Sequence, residues 1–236
     1  MFGYMGNILR VNLTDNRITE QKLEEDIARA FLGGRGLAAK ILFDELEPGL
    51  DPLGPENKLV VAAGVVTGIP FAGNCRYVLA GKSPLTNIWG ETNASGFFGP
   101  ELRFAGFDAV VFEGEAAKPV YLWVHNGEAE LRDASHLWGR ITGETEELIK
   151  KELKDDRIRI ASIGPGGENL VRYACVLSDY HHANGRTGMG AVMGAKNLKA
   201  IAVRGTLKIP LVDRERITEL CKRASKEVWE GAYGDL

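Results

Sequence analysis

Cysteine is scarce in this chain of 236 residues: Cys75, Cys175 and Cys221 are an odd number, widely separated, with no C-x-x-C pair. That pattern excludes a disulfide framework and a metal or cluster site built from local thiolates. Long apolar runs are also missing. The most apolar stretch, residues 59–66, is far shorter than the roughly 20 residues a membrane-spanning helix needs, and the opening segment has no signal-peptide apolar stretch. A cytoplasmic protein without a membrane partner is the expectation. Basic charge has no surplus, with 29 Lys and Arg against 32 Asp and Glu, so nothing is available to neutralise a phosphodiester backbone and nucleic acid is a poor partner. Small anions remain possible, because they need only a local site.

What the chain has instead is glycine, 29 residues against 9 prolines, gathered at 33–36, 64–81, 90–99, 164–167 and 185–194. Glycine at such density lets backbone approach backbone or ligand closely. Between these clusters the pattern predicts a hairpin over 8–13 and 17–20, helices over 23–31 and 37–46 broken at Gly33-Gly34, strands over 58–65 and 76–81, and a glycine-started helix over 95–104. Strands follow over 108–112 and 120–125, the latter turning at Asn126-Gly127, where both positions tolerate positive φ. A helix over 144–153 has acids in its first turn and lysines near its end, as the helix dipole prefers. Strands recur over 157–163, 170–177 and 199–203.

This order occurs twice. Each half runs hairpin, helix, strand into a glycine (Gly64, Gly164), strand, glycine-started helix and strand ending in a glycine; the glycines bounding the closing units, Gly96 and Gly114, Gly188 and Gly205, are 18 and 17 positions apart. Chance recurrence of common elements is the alternative. An internal duplication predicts an α+β fold of mixed β-sheets with short helices, in two pseudo-two-fold related halves at about 7–114 and 119–205. Together they would form one domain over 1–208. Residues 209–236 then read as a linker and the first helix of a second domain, capped by Asp213 and carrying Ile217, Leu220, Cys221, Ala224 and Val228 on one face.

Two loops fall at the same point of each half, Asn93-Ala94-Ser95-Gly96-Phe97-Phe98-Gly99 and His182-Ala183-Asn184-Gly185-Arg186-Thr187-Gly188-Met189-Gly190. Glycine-rich backbone with free N–H groups suits an anion, and Arg186 adds a bidentate donor for phosphate. Two such loops imply two phosphates; tight packing turns would use the same residues. Nucleotide motifs fail, since Gly188-Met189-Gly190 followed by Gly194 is one residue too long for the dinucleotide fingerprint, and Ala195-Lys196-Asn197 lacks what a Walker loop requires. The His181-His182 pair has no placed nucleophile beside it, so no catalytic residue is assigned.

At these residues the sequence resembles the tungsten-containing aldehyde:ferredoxin oxidoreductases, specifically their N-terminal domain. The matching stretches include Gly33-Gly34-Arg35-Gly36-Leu37-Ala38, Arg76-Tyr77 with Lys82-Ser83-Pro84-Leu85-Thr86, Ser162-Ile163-Gly164-Pro165, and Gly190-Ala191-Val192-Met193-Gly194 through Lys196-Asn197-Leu198-Lys199-Ala200. The resemblance implies a saddle-like domain cradling two pyranopterin dithiolenes that hold tungsten, or sometimes molybdenum, with a magnesium ion between their phosphates. Its magnesium carbonyls match Asn93 and Ala183, its arginine between pterin and cluster matches Arg76, and its second-loop donors match Gly185 and Arg186. Ser95 stands where the first loop often has glycine, His182 where an arginine is common and Thr187 where glycine is frequent. The family's 4Fe–4S cysteines belong to a C-terminal part, so the implied whole is an enzyme oxidising aldehydes to carboxylic acids and passing electrons through that cluster to ferredoxin. A C-terminal domain, ferredoxin, an aldehyde substrate and a second copy in a homodimer are the partners implied, and a stand-alone cofactor-binding or scaffold domain without activity is the alternative.

Overall fold

The alternation of 8–13 makes an antiparallel hairpin of β1 (Asn7–Asn12) and β2 (Arg17–Lys22), and it opens the first of two sheets in a computed structural model that describes residues 1–71 and 73–231. The first half continues with α1 (Glu25–Phe31), α2 (Gly34–Glu45), β3 (Leu59–Ala63), β4 (Tyr77–Lys82), β5 (Trp89–Ala94), α3 (Phe98–Phe104) and β6 (Ala109–Glu113). The second half comprises β7 (Val120–His125), β8 (Glu128–Asp133), α4 (Thr142–Leu153), β9 (Arg159–Ser162), α5 (Pro165–Glu168), β10 (Val176–Ser178), β11 (His182–Asn184), α6 (Met189–Ala195) and β12 (Leu198–Arg204). The first sheet has the order β2-β1-β6-β3-β4-β5 and the second β8-β7-β12-β9-β10-β11, strand for strand the same. In each, the hairpin's first strand lies parallel to the half's last strand and all other neighbours are antiparallel. The matching topology is that of duplicated halves.

Burial explains the composition of the strands. β3, β6 and β12 are covered on both faces and mainly apolar, with Lys199 the one buried charge within β12, whereas β2 is a charged, exposed edge. One apolar cluster fills the space between the sheets, where Leu59, Val61 and Leu79 of the first meet Leu122, Ile201 and Val203 of the second. The outer face of the first sheet is covered by α1 and α2, that of the second by α4. The short helices α3 and α6 sit in the middle layer, each touching strands of the opposite sheet. Close backbone approach sets their sequence: a Cβ on Gly99 would lie 3.0 Å from the Cys75 carbonyl oxygen, and one on the equivalent Gly190 would lie 2.5 Å from that of Cys175.

Several sequence expectations need correction. The apolar stretch 170–177 forms strand only at Val176–Ser178, because Leu170 adopts φ 57° and Val171 N–H turns back to the Gly166 carbonyl. The helix expected over 95–104 begins at Phe98, since Gly96 sits at φ 92°. Strands β5 and β11, read as loops in the sequence, carry Asn93 and His182–Asn184. At the other end, Asp213 caps α7 (Arg214–Glu230) by accepting a hydrogen bond from Arg216 N–H at 2.8 Å, and Cys221 alone of that helix's residues is buried.

Buried cations tie the layers. Arg103 donates to the carbonyls of Val65 and Thr67, each at 2.8 Å, and faces Asp108, which in turn accepts from Gly6 N–H at 2.7 Å. Burial pushes the Asp108 carboxyl up and the Arg103 guanidinium down from their ordinary values. Lys196, on the second half, donates to the Gly114 carbonyl of the first at 2.9 Å, and burial pushes its ammonium down to about 8. The unfolded chain, with the ordinary value of 10.5, therefore binds more protons between these limits, and stability contributed at this site rises with pH from about 8 to 10.5 and is flat below. In urea unfolding, the wild-type protein should gain on Lys196→Met across that interval; parallel stability profiles would contradict the assignment.

Candidate functional site

Strands β5 and β11 form the free edges of the two sheets, and the fold sets these edges side by side. The ladders show how closely the halves correspond there. From Ala109, five positions before the glycine that ends the first half, the register runs Ala109, Ala62, Val78, Asn93; from Ala200, five before Gly205, it runs Ala200, Ser162, Leu177, Ala183. Asn93 and Ala183 thus hold the same place in the two sheets. Among the residues singled out in the sequence, these two, Ser95, His182, Gly185 and Arg186 lie on β5, on β11 or in the turns that follow them.

Arg76 joins the group from the start of β4, its Nη1 donating to Asn93 Oδ1 at 2.7 Å. It lines a groove of about 480 Å³ with Asn93, Gly64 and the Gly33-Gly34-Arg35 start of α2. The second half has an equivalent groove of about 360 Å³ between Gly164, Leu177 and Thr142 at the start of α4. Counting back from the matched Val78 and Leu177, the place of Arg76 is taken there by Cys175, so the approximate symmetry is broken by one cation. Arg76 and Arg186 are exposed, and among the described residues neither guanidinium is paired with a carboxylate. Unpaired arginines beside glycine-rich turns fit an anionic ligand.

Ser95 Oγ is 3.4 Å from His182 Nδ1, and the His182 ring lies 4.7 Å from that of His181, tilted by 40°. Thr187 adopts φ 66°, a conformation that favours glycine, with its hydroxyl donating to the Arg186 carbonyl at 2.6 Å.

Other residues of the seam are given no role from the sequence. The Tyr77 hydroxyl donates to Ser178 Oγ at 2.9 Å across the halves, and burial pushes that phenol well above its ordinary value. Asn184 is fully buried, its Nδ2 donating to the Thr92 carbonyl at 3.2 Å while Oδ1 has no partner. Among the described residues, no three His, Cys, Asp or Glu side chains converge as a metal-binding set.

Comparison with known proteins follows the same lines. The family described as "Aldehyde ferredoxin oxidoreductase, N-terminal domain" matches residues 8–205. The tungsten-containing aldehyde ferredoxin oxidoreductase of Pyrococcus furiosus is 49% identical over 216 residues, which are 92% of this chain and 36% of that protein. The aliphatic sulfonate oxidoreductase, WOR-like subunit, of the same organism is 37% identical over 245 residues, covering 97% of this chain and 39% of that one. Among solved structures, a chain of the active site complex BamBC of benzoyl coenzyme A reductase, in complex with 1,5-dienoyl-CoA, superposes with a TM-score of 0.94 at 39% identity, over 97% of this chain and 35% of that one. The chain spans little more than a third of the length of these relatives.

Proposed function

The chain belongs to the aldehyde ferredoxin oxidoreductase N-terminal domain family, and from that premise we propose that the face formed by β5, β11 and the turns after them holds a bis-pyranopterin cofactor of tungsten or molybdenum. The observation that carries this reading is the register match of Asn93 with Ala183 on adjacent sheet edges, flanked by Arg76 and Arg186, which have no carboxylate partner among the described residues. Two equivalent backbone positions meeting at an approximate two-fold axis suit a ligand made of two like halves.

In this reading Arg186 and the Gly185 N–H would hold one pterin phosphate, Ser95 and His182 would donate to the phosphates, and the backbone carbonyls of Asn93 and Ala183 would take up a magnesium ion. Arg76 would bind the pterin, next to a 4Fe–4S cluster that the remainder of the protein would supply. When bound, the cofactor supplies the two-electron chemistry that converts an aldehyde to a carboxylic acid. The residues of this chain bind and orient it, and none is assigned a proton transfer. Residues 1–208 act as the cofactor domain, α7 leads into the next domain, and ferredoxin accepts the electrons of the assembled cytoplasmic enzyme. The family's relatives include a sulfonate oxidoreductase subunit and a component of a benzoyl coenzyme A reductase complex, so substrate choice is assigned to parts of the protein outside this fold.

Arg186→Ala, made in the protein expressed from its complete gene, should retain the cofactor about ten- to a hundredfold less tightly, as expected for loss of a charge-assisted hydrogen bond. Metal and pterin analysis of the purified variant reads the effect. Unchanged content would remove Arg186 from the site.

A further inference from the structure

We propose that Asp179 and Thr92 are positioning residues for the two-loop site, each belonging to one half and clamping the loop of the other; the inference rests on the cofactor reading above. Asp179 lies on the β10–β11 turn of the second half, with its side chain 6% exposed. Its Oδ2 accepts a hydrogen bond from the N–H of Phe97, in the first loop, at 2.6 Å. Its Oδ1 makes no hydrogen bond and faces Arg159 Nη1 at 3.7 Å, while the Arg159 guanidinium lies over the Phe97 ring, 4.5 Å from its centroid. The second half therefore grips both the amide and the ring of Phe97. The space beside them is closed: a Cβ on Gly96 would come within 2.6 Å of Asp179 Oδ2 and 2.5 Å of the His182 ring.

The reverse clamp is built on β5. Thr92 is 5% exposed, and its Oγ1 accepts from Arg186 N–H at 3.3 Å. The Thr92 carbonyl accepts from Asn184 Nδ2 as described. The first loop is thus held by the second half, and the second loop by the first. Glycine-rich turns have many conformations to lose when a ligand fixes them, and a turn already fixed binds with less entropic cost. Reciprocal clamping fixes both turns before any phosphate arrives and keeps them at one separation, as a ligand with two linked phosphates requires.

The test uses the protein from its complete gene in four variants, Asp179→Ala, Asp179→Asn, Thr92→Val and Thr92→Ser. Material grown without tungstate or molybdate is read by amide hydrogen exchange, and material grown with the metal is read by pterin and metal content. Asp179→Ala should speed exchange at Phe97, and Thr92→Val at Arg186, by about tenfold or more, since each amide loses its acceptor. Asp179→Asn and Thr92→Ser keep an acceptor oxygen and should restore most of the protection, which a general loosening of the fold would not produce. Both disruptive variants should also carry less pterin. Unchanged exchange at these amides would overturn the clamps. Faster exchange with full pterin content would overturn the positioning role, and Arg186→Ala then separates the two ideas: pterin loss there alone leaves the cofactor reading standing, and no loss in either removes it.

Discussion

Gly205→Ala is expected to unfold the protein or to lower its melting temperature by at least about 10 °C, a shift that corresponds to roughly 4 kcal/mol in a chain of this size. Gly205 follows β12 and presses on the end of α3 in the other half. A Cβ there would overlap the Phe104 carbonyl group and the Ala105 nitrogen, all three of them backbone atoms. Overpacking against side chains costs about 1–3 kcal/mol because rotamers can shift, whereas here a helix end would have to move away from a sheet. The seam around it is already committed: Gly205 N–H donates to Glu101 Oε1 at 2.9 Å, and Arg204 reaches the same oxygen at 2.7 Å. Gly166→Ala is the matched control, since no atom lies within 4 Å of its Cβ position. Thermal unfolding of the pair measures the difference; equal melting temperatures would show that the two halves are not packed as described.

Lys199→Met is expected to cost about 3–5 kcal/mol in chemical unfolding, because it strands a buried carboxylate. Lys199 and Glu168 form an ion pair with side chains 0% and 3% exposed. Lys199 also donates to the Arg140 carbonyl at 2.8 Å, and Glu168 accepts from Gly139 N–H at 2.8 Å, so the pair pins the segment before α4 to α5 and β12. Burial pushes the Lys199 ammonium below its ordinary value, with Glu168 opposing that shift. Adding Glu168→Gln to Lys199→Met should recover part of the loss, since no uncompensated charge then remains. Additive losses in the double variant would contradict a direct coupling.

The duplication could be read from the chain because its most informative marks, the glycines closing each half, are each required in place, Gly114 by its φ of 73° against Thr14 and Gly205 by the backbone of Phe104 and Ala105. β5 and β11 could not. Trp-Gly-Glu-Thr-Asn-Ala has ordinary strand length but no apolar alternation, and His-Ala-Asn has neither; both are edge strands. The stretch 170–177 failed for the opposite reason: it is apolar enough for a strand, but Leu170 closes a turn against α5. At the candidate site, Arg186 and the two loops stand out by composition, and Arg76 by its place at the head of a strand. Asp179 and Thr92 do not, because their partners Phe97 and Arg186 are 82 and 94 residues away, and no local spacing records such a contact. Gly33-Gly34 was legible as a break between helices, though α2 begins at Gly34 itself, which takes φ 50°.

The central claim is that the adjacent edges of two matching sheets hold one cofactor made of two phosphate-bearing halves. Its most direct test is the pterin-to-metal ratio of the protein expressed from its complete gene and purified without oxygen, measured together with bound magnesium. Two pterins for each tungsten or molybdenum, with one magnesium, is the expected result. A folded protein that carries one pterin per metal, or neither, after growth with both metals supplied would contradict the claim.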